Sequence, residues 1–126
     1  MPEPIIFPDY HGNSIANLMQ TLASARGSDA GIYPPLEGLD TQALAETRNV
    51  VMLVIDGLGY EFLSQYPDSC LYQHLHSRIM AVAPPTTTAS VSTYLTGLAP
   101  QQHGLTGWFT YLRELGSVVT ILPWVL

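Results

Sequence analysis

Val50-Val51-Met52-Leu53-Val54-Ile55 is an unbroken apolar run that stops abruptly at Asp56-Gly57-Leu58-Gly59. Six apolar residues rich in Val and Ile, without alternation, suit a strand buried on both faces. Such strands are mostly parallel and lie under covering helices, which sets the expected fold as α/β, a mostly parallel sheet flanked by helices. Ligands of open parallel sheets bind outside the carboxyl ends of the strands. Asp56 falls at such an end. An ionised carboxylate there is costly unless it is paired or binds a cation.

A second strand-like piece, Arg78-Ile79-Met80-Ala81-Val82-Ala83, leads into Pro84-Pro85-Thr86-Thr87-Thr88-Ala89-Ser90. That stretch opens a helix ending near Thr96-Gly97. The Thr run would place hydroxyls beside the free N–H groups of a helix N-terminus, an anion site. Thr87 or Thr88 is also a candidate N-cap. A hydroxyl there becomes a nucleophile if a metal ion lowers its pKa. Val91 and Leu95, four apart, are expected to face the core, with Tyr94 and Leu98 on an adjacent stripe.

These residues, together with Thr96-Gly97-Leu98-Ala99-Pro100-Gln101-Gln102-His103-Gly104, resemble the alkaline phosphatase superfamily, most closely its type I phosphodiesterase/nucleotide pyrophosphatase branch. The resemblance covers Asn49 to Gly104. It implies an alkaline-phosphatase-like fold and two divalent metal ions, usually zinc. It implies a Thr nucleophile nine positions before the signature Thr96, which is Thr87, with Thr86 or Thr88 as the alternatives if the register slips. It assigns Asp56, with Thr87, to the metal. His103 is implied to be structural rather than a ligand. Where the branch often carries an Asn after His-Gly, this chain has Leu105-Thr106-Gly107-Trp108.

The remaining Asp and His ligands of the family lie far downstream. The 126 residues are therefore expected to form the N-terminal part of one catalytic domain, incomplete without its C-terminal part. Residues 1–48 would be a helical and loop extension, and 49–126 the core that carries both motifs. The implied reaction is hydrolysis of a small phosphoester or nucleotide, with little turnover from this chain alone. A phosphomutase, or another phosphoryl-transfer member of the superfamily, is the alternative within it. A non-catalytic fragment that binds an anion or a partner is the alternative outside it. A sulfatase would need Cys or Ser at the nucleophile position.

Composition narrows the remaining classes. Charged residues make up 11% and the net charge is −6, with four Arg and no Lys. That balance argues against nucleic-acid binding by phosphate neutralisation. The low charge fraction points to apolar surface that meets further protein. No basic start with an apolar core marks a signal peptide, and no apolar stretch reaches the roughly 18–20 residues of a membrane span. The expected location is the cytoplasm.

Along the rest of the chain, residues 1–12 are Pro-rich and expected to be extended. Asn13 or Ser14 caps a helix to about Ala25, with Ile15, Leu18, Met19 and Leu22 on one face and Gly27 at its end. Asp9 and His11 read as a surface turn, because two ligand types without a third are weak metal evidence. Asp40 caps a helix over Thr41–Glu46. Short helices are expected over Tyr60–Tyr66 and, after Asp68 or Ser69, to about His76. His74 and His76, two apart, read as surface positions. Cys70 reads as a small buried residue. The aromatic piece around Trp108, Phe109, Tyr111 and Leu112 is expected to be helical to Gly116, and Ser117–Leu122 to be a strand.

Overall fold

The structure is a computed structural model that describes residues 6–28 and 31–122. The endings read at Met1–Ile5 and at Pro123–Leu126 lie outside the described residues. Ser14 starts helix α1 (Ile15–Ser24) through a capping box with Asn17. Each side chain bonds the backbone N–H of the other, which satisfies two donors that a helix start leaves free. The helix closes at Gly27, whose φ of +82° suits a residue without a Cβ. Asp40 Oδ1 accepts from Gln42 N and Ala43 N at 2.9 and 3.1 Å, capping α2 (Thr41–Glu46). Both helices fall where their caps place them.

The polar face of α1 is buried and does as much joining as its apolar face. Asn17, fully buried, donates through Nδ2 to the carbonyls of Tyr10 and Pro34, both at 2.9 Å, and accepts the Ser14 N–H at 3.0 Å. One turn on, Thr21 Oγ1 donates to Asn17 O at 3.0 Å and accepts the Leu36 N–H at 2.7 Å. The loops before and after α1 are thus tied to it by amide and hydroxyl groups. The apolar contact is small: Ile15, Val82 and Ala89, with Ile79 and Tyr94 packed against them.

The expected parallel sheet is not formed among the described residues. The ladder among the described residues is an antiparallel hairpin of β1 (Phe109–Leu112) and β2 (Ser117–Thr120), pairing Phe109 with Thr120 and Leu112 with Ser117. Val50–Ile55 joins no strand, and its side chains are exposed, Val51 at 90% and Leu53 at 79%. Residues 78–83 make one parallel bridge, Met80 with Ser14. An apolar run reports that a segment can be buried on two faces. A strand also needs a hydrogen-bonded partner, and no described segment forms a ladder with 50–55.

Other expectations are corrected locally. Trp108–Leu112 is not helical: Phe109 and Tyr111 alternate with Thr110 and Leu112 in exposure, and a β-branched and aromatic stretch suits a strand. The strand after it is shorter than 117–122. The helices after Asp56 shrink to α3 (Tyr60–Leu63) and α4 (Cys70–Gln73), the latter capped by Ser69. Cys70 is exposed, at the first position of a four-residue surface helix, with its Sγ 3.8 Å from His74 Nδ1. His74 and His76 are exposed, as is the Asp9/His11 turn, where the Asp9 carboxylate takes the His11 N–H at 2.9 Å. No described helix is long and apolar enough to cross a membrane.

Candidate active site

Helix α5 (Thr87–Thr96) carries the Thr run at its start. Its N-cap is Thr86, one residue earlier than expected. Thr86 Oγ1 accepts the Ala89 N–H at 3.2 Å and donates to Thr106 O at 3.4 Å. Thr88 points the other way and is fully buried, with no partner for its hydroxyl among the described residues. Thr87 is half-buried, and its Oγ1 donates to Asp56 Oδ1 at 3.5 Å across 31 residues of chain. The three neighbouring hydroxyls therefore sit in three different environments: one caps, one is sealed in the interior, and one faces the acid. Thr87 and Thr88 N–H groups, at the first two helical positions, have no acceptor among the described residues.

Asp56 reaches Thr87 because the chain reverses just past Ile55. Leu58 N bonds back to Ile55 O at 3.4 Å, and Gly57 holds φ +78°. That sign at the third turn position favours Gly. The resulting cleft has a volume of about 410 Å³. Its polar side is Asp56, Thr87 and Ser90, and its apolar side includes Leu58, Val91 and Tyr94. Burial raises the Tyr94 hydroxyl's pKa above its ordinary value, so the ring meets any occupant as a neutral phenol.

The buried side of α5 corrects the apolar stripe expected there. Thr88, Ala89, Ser92 and Thr93 are buried, while Leu95 is 82% exposed. Small residues let the next helix, α6 (Pro100–His103), pack close to this side. Pro100 at its first position and Gly104 at φ +74° past its end mark α6. Both signals are present in the sequence itself.

His103 lies on this buried side of α5, away from Asp56. Its Nδ1 accepts the Leu105 N–H at 3.0 Å, so the neutral ring carries its proton on Nε2, 3.3 Å from Thr93 Oγ1. Desolvation holds its pKa below the usual 6.5, opposed by a hydrogen bond to the Ala89 carbonyl. A lowered native pKa means that the unfolded chain binds the extra proton first. Stability is then full above about pH 6.5 and falls as the pH drops below it. Chemical denaturation at pH 7.5 and pH 5 is expected to show this loss in the wild type, and a smaller one in His103→Gln. Equal losses in the two proteins would remove His103 as a source.

The spacing of Asp56 and Thr87 suits two ligands of one metal ion. Two oxygens bound tetrahedrally to one zinc ion at 2.0–2.2 Å stand roughly 3.3–3.6 Å apart. The observed 3.5 Å matches that bite. No group of three His, Cys, Asp or Glu side chains gathers among the described residues.

An acid after a sharp turn, facing the first hydroxyl of a helix, is an arrangement suited to phosphoryl chemistry. The chain belongs to the type I phosphodiesterase / nucleotide pyrophosphatase family, whose model matches residues 50–122. Membership carries an alkaline-phosphatase-like α/β fold and phosphoric ester hydrolysis, generally metal-dependent, on small phosphoesters or nucleotides. No curated protein and no solved structure matches the chain.

Proposed function

We propose that this chain carries the nucleophile half of a metal-dependent phosphodiesterase or nucleotide pyrophosphatase, with Thr87 as nucleophile. The observation that supports it is the approach of Thr87 Oγ1 to Asp56 Oδ1 at the start of α5. Thr87 Oγ attacks phosphorus and forms a new O–P bond as the bond to the leaving oxygen breaks. The hydroxyl proton passes to solvent. Water then attacks the phosphorylated Thr87, releasing the product and restoring the hydroxyl. The free N–H groups of Thr87 and Thr88 point charge-stabilising dipoles at the transferred group, and the positive helix end adds to them.

Asp56 and Thr87 would hold one of two divalent cations, zinc in this reading, whose positive charge would lower the hydroxyl's pKa. No third candidate ligand gathers with them among the described residues, so the 126-residue chain by itself is expected to turn over little. The full-length protein with zinc or manganese is the one to assay, on a chromogenic phosphodiester and its matched monoester. Faster diester hydrolysis is the expected result. Hydrolysis of neither ester would overturn the reading and favour a phosphomutase or a binding role.

A further inference from the structure

The cleft at Asp56 continues past Gly59. A second groove, about 310 Å³ in volume, shares Gly59 and Ala81 with it and is lined further by Tyr60, Glu61 and Arg78. Arg78 is braced there: its guanidinium carbon lies 5.3 Å from the centre of the Tyr60 ring. Stacking on an aromatic face fixes the plane of the guanidinium and leaves its edge N–H groups free to bond. The chain has four Lys and Arg residues against ten acids. Arg26, Arg48 and Arg113 line neither the cleft nor the groove. Among the residues lining the cleft and the groove, Arg78 is the cation, and the acids there are Asp56 and Glu61.

We propose that Arg78, held on Tyr60, binds the anionic leaving group of a phosphoanhydride substrate. It would thereby select pyrophosphate bonds over esters whose leaving group carries no charge before the bond breaks. The inference rests on Thr87 being the nucleophile. Attack of Thr87 Oγ on the phosphorus forms one O–P bond and breaks the anhydride P–O bond. The bridging oxygen leaves with the electron pair, as part of a phosphate or pyrophosphate anion. Arg78 N–H donors meet that growing charge, where a planar guanidinium can offer two parallel bonds. Glu61 competes for the same guanidinium. Its contact is a single one at 3.4 Å between side chains 51% and 84% exposed, so an incoming phosphate displaces it easily.

The test compares two substrates that transfer the same thymidylyl group, thymidine triphosphate and the p-nitrophenyl ester of thymidine monophosphate, on the full-length protein. The quantity read is the ratio of kcat/KM for the triphosphate to that for the ester. Arg78→Met is expected to lower this ratio at least about 10-fold. Arg78→Lys, which keeps charge but loses the paired geometry, recovers part of it. Glu61→Gln is expected to raise the ratio by about 2- to 5-fold, and it stays informative if Arg78→Met does not fold. A ratio unchanged in both Arg78→Met and Glu61→Gln overturns the inference while leaving Thr87 in place. A wild-type protein inactive on both substrates overturns the nucleophile assignment and this inference together.

Discussion

Thr87→Ala in the full-length protein is expected to lose at least about 10³-fold in phosphodiester turnover, because a methyl group cannot form the covalent intermediate. Its two neighbours should behave differently, for reasons visible in their surroundings. Thr86→Ala removes the hydroxyl that accepts the Ala89 N–H. It is expected to cost about 1 kcal/mol of stability and to change turnover by no more than about 10-fold, through a frayed helix start. Thr88 is buried with no partner for its hydroxyl among the described residues. Thr88→Val replaces that group with a methyl of the same shape and is expected to be neutral or stabilising by about 1 kcal/mol. Steady-state rates and urea midpoints on the three variants thus give three separate signatures. A Thr87→Ala protein that keeps its rate would move the nucleophile to Thr86 or Thr88, and the neighbour that then loses activity would identify it.

The second large effect lies far from the cleft. Asn17→Ala is expected to destabilise the fold by at least about 3 kcal/mol, since it strips partners from the Ser14 N–H and from the Tyr10 and Pro34 carbonyls. Each of these is a backbone group held by one buried amide. Because domains are stable by only about 5–15 kcal/mol, the variant should unfold at markedly lower urea. Gln42→Ala, on the exposed face of α2, is the fitting control and should stay within about 0.5 kcal/mol. A midpoint for Asn17→Ala no lower than that of Gln42→Ala would show that solvent enters and satisfies the loop carbonyls.

What could be read in advance was local. Ser14 and Asp40 cap because short polar side chains reach backbone donors two or three residues on, which needs no tertiary information. The turn at Gly57 and the helix after Pro85 were legible on the same ground. The juxtaposition of Asp56 and Thr87 was an inference from resemblance, and residue spacing alone would not have supplied it. Asn17 escaped notice because a buried amide inside a helix looks, in sequence, like any polar residue on an exposed face. Only the loops folded over it reveal its role. Of the stripe expected through Val91 and Leu95, Leu95 is exposed, for the opposite reason. Small residues, Ala89 and Ser92 among them, permit close helix contact, and that selected the buried side of α5 over hydrophobicity. The Phe109–Leu112 stretch was misread because an aromatic pattern over so few residues fits two periodicities, and its partner β2 decided between them. Val50–Ile55 carries the pattern of a central strand, yet pairing is a property of at least two segments.

The bridge between Ser14 and Met80 has a kinetic side. Ile15 N bonds to Met80 O at 3.1 Å, and Met80 N to Asn13 O at 3.0 Å. Closing a loop of about 65 residues costs roughly 4 kcal/mol in chain entropy before any contact rewards it. During synthesis, α1 leaves the ribosome long before its partner segment does, so it cannot dock until residues near 80 have emerged. The segment from Val82 to Thr86 follows directly, and the same closure event that seats α1 brings α5 against it. Refolding from urea should then show the Asn17 network and the start of α5 gaining protection from hydrogen exchange in one shared phase, which makes arrival of the Thr87 segment the late, rate-setting step for this part of the chain.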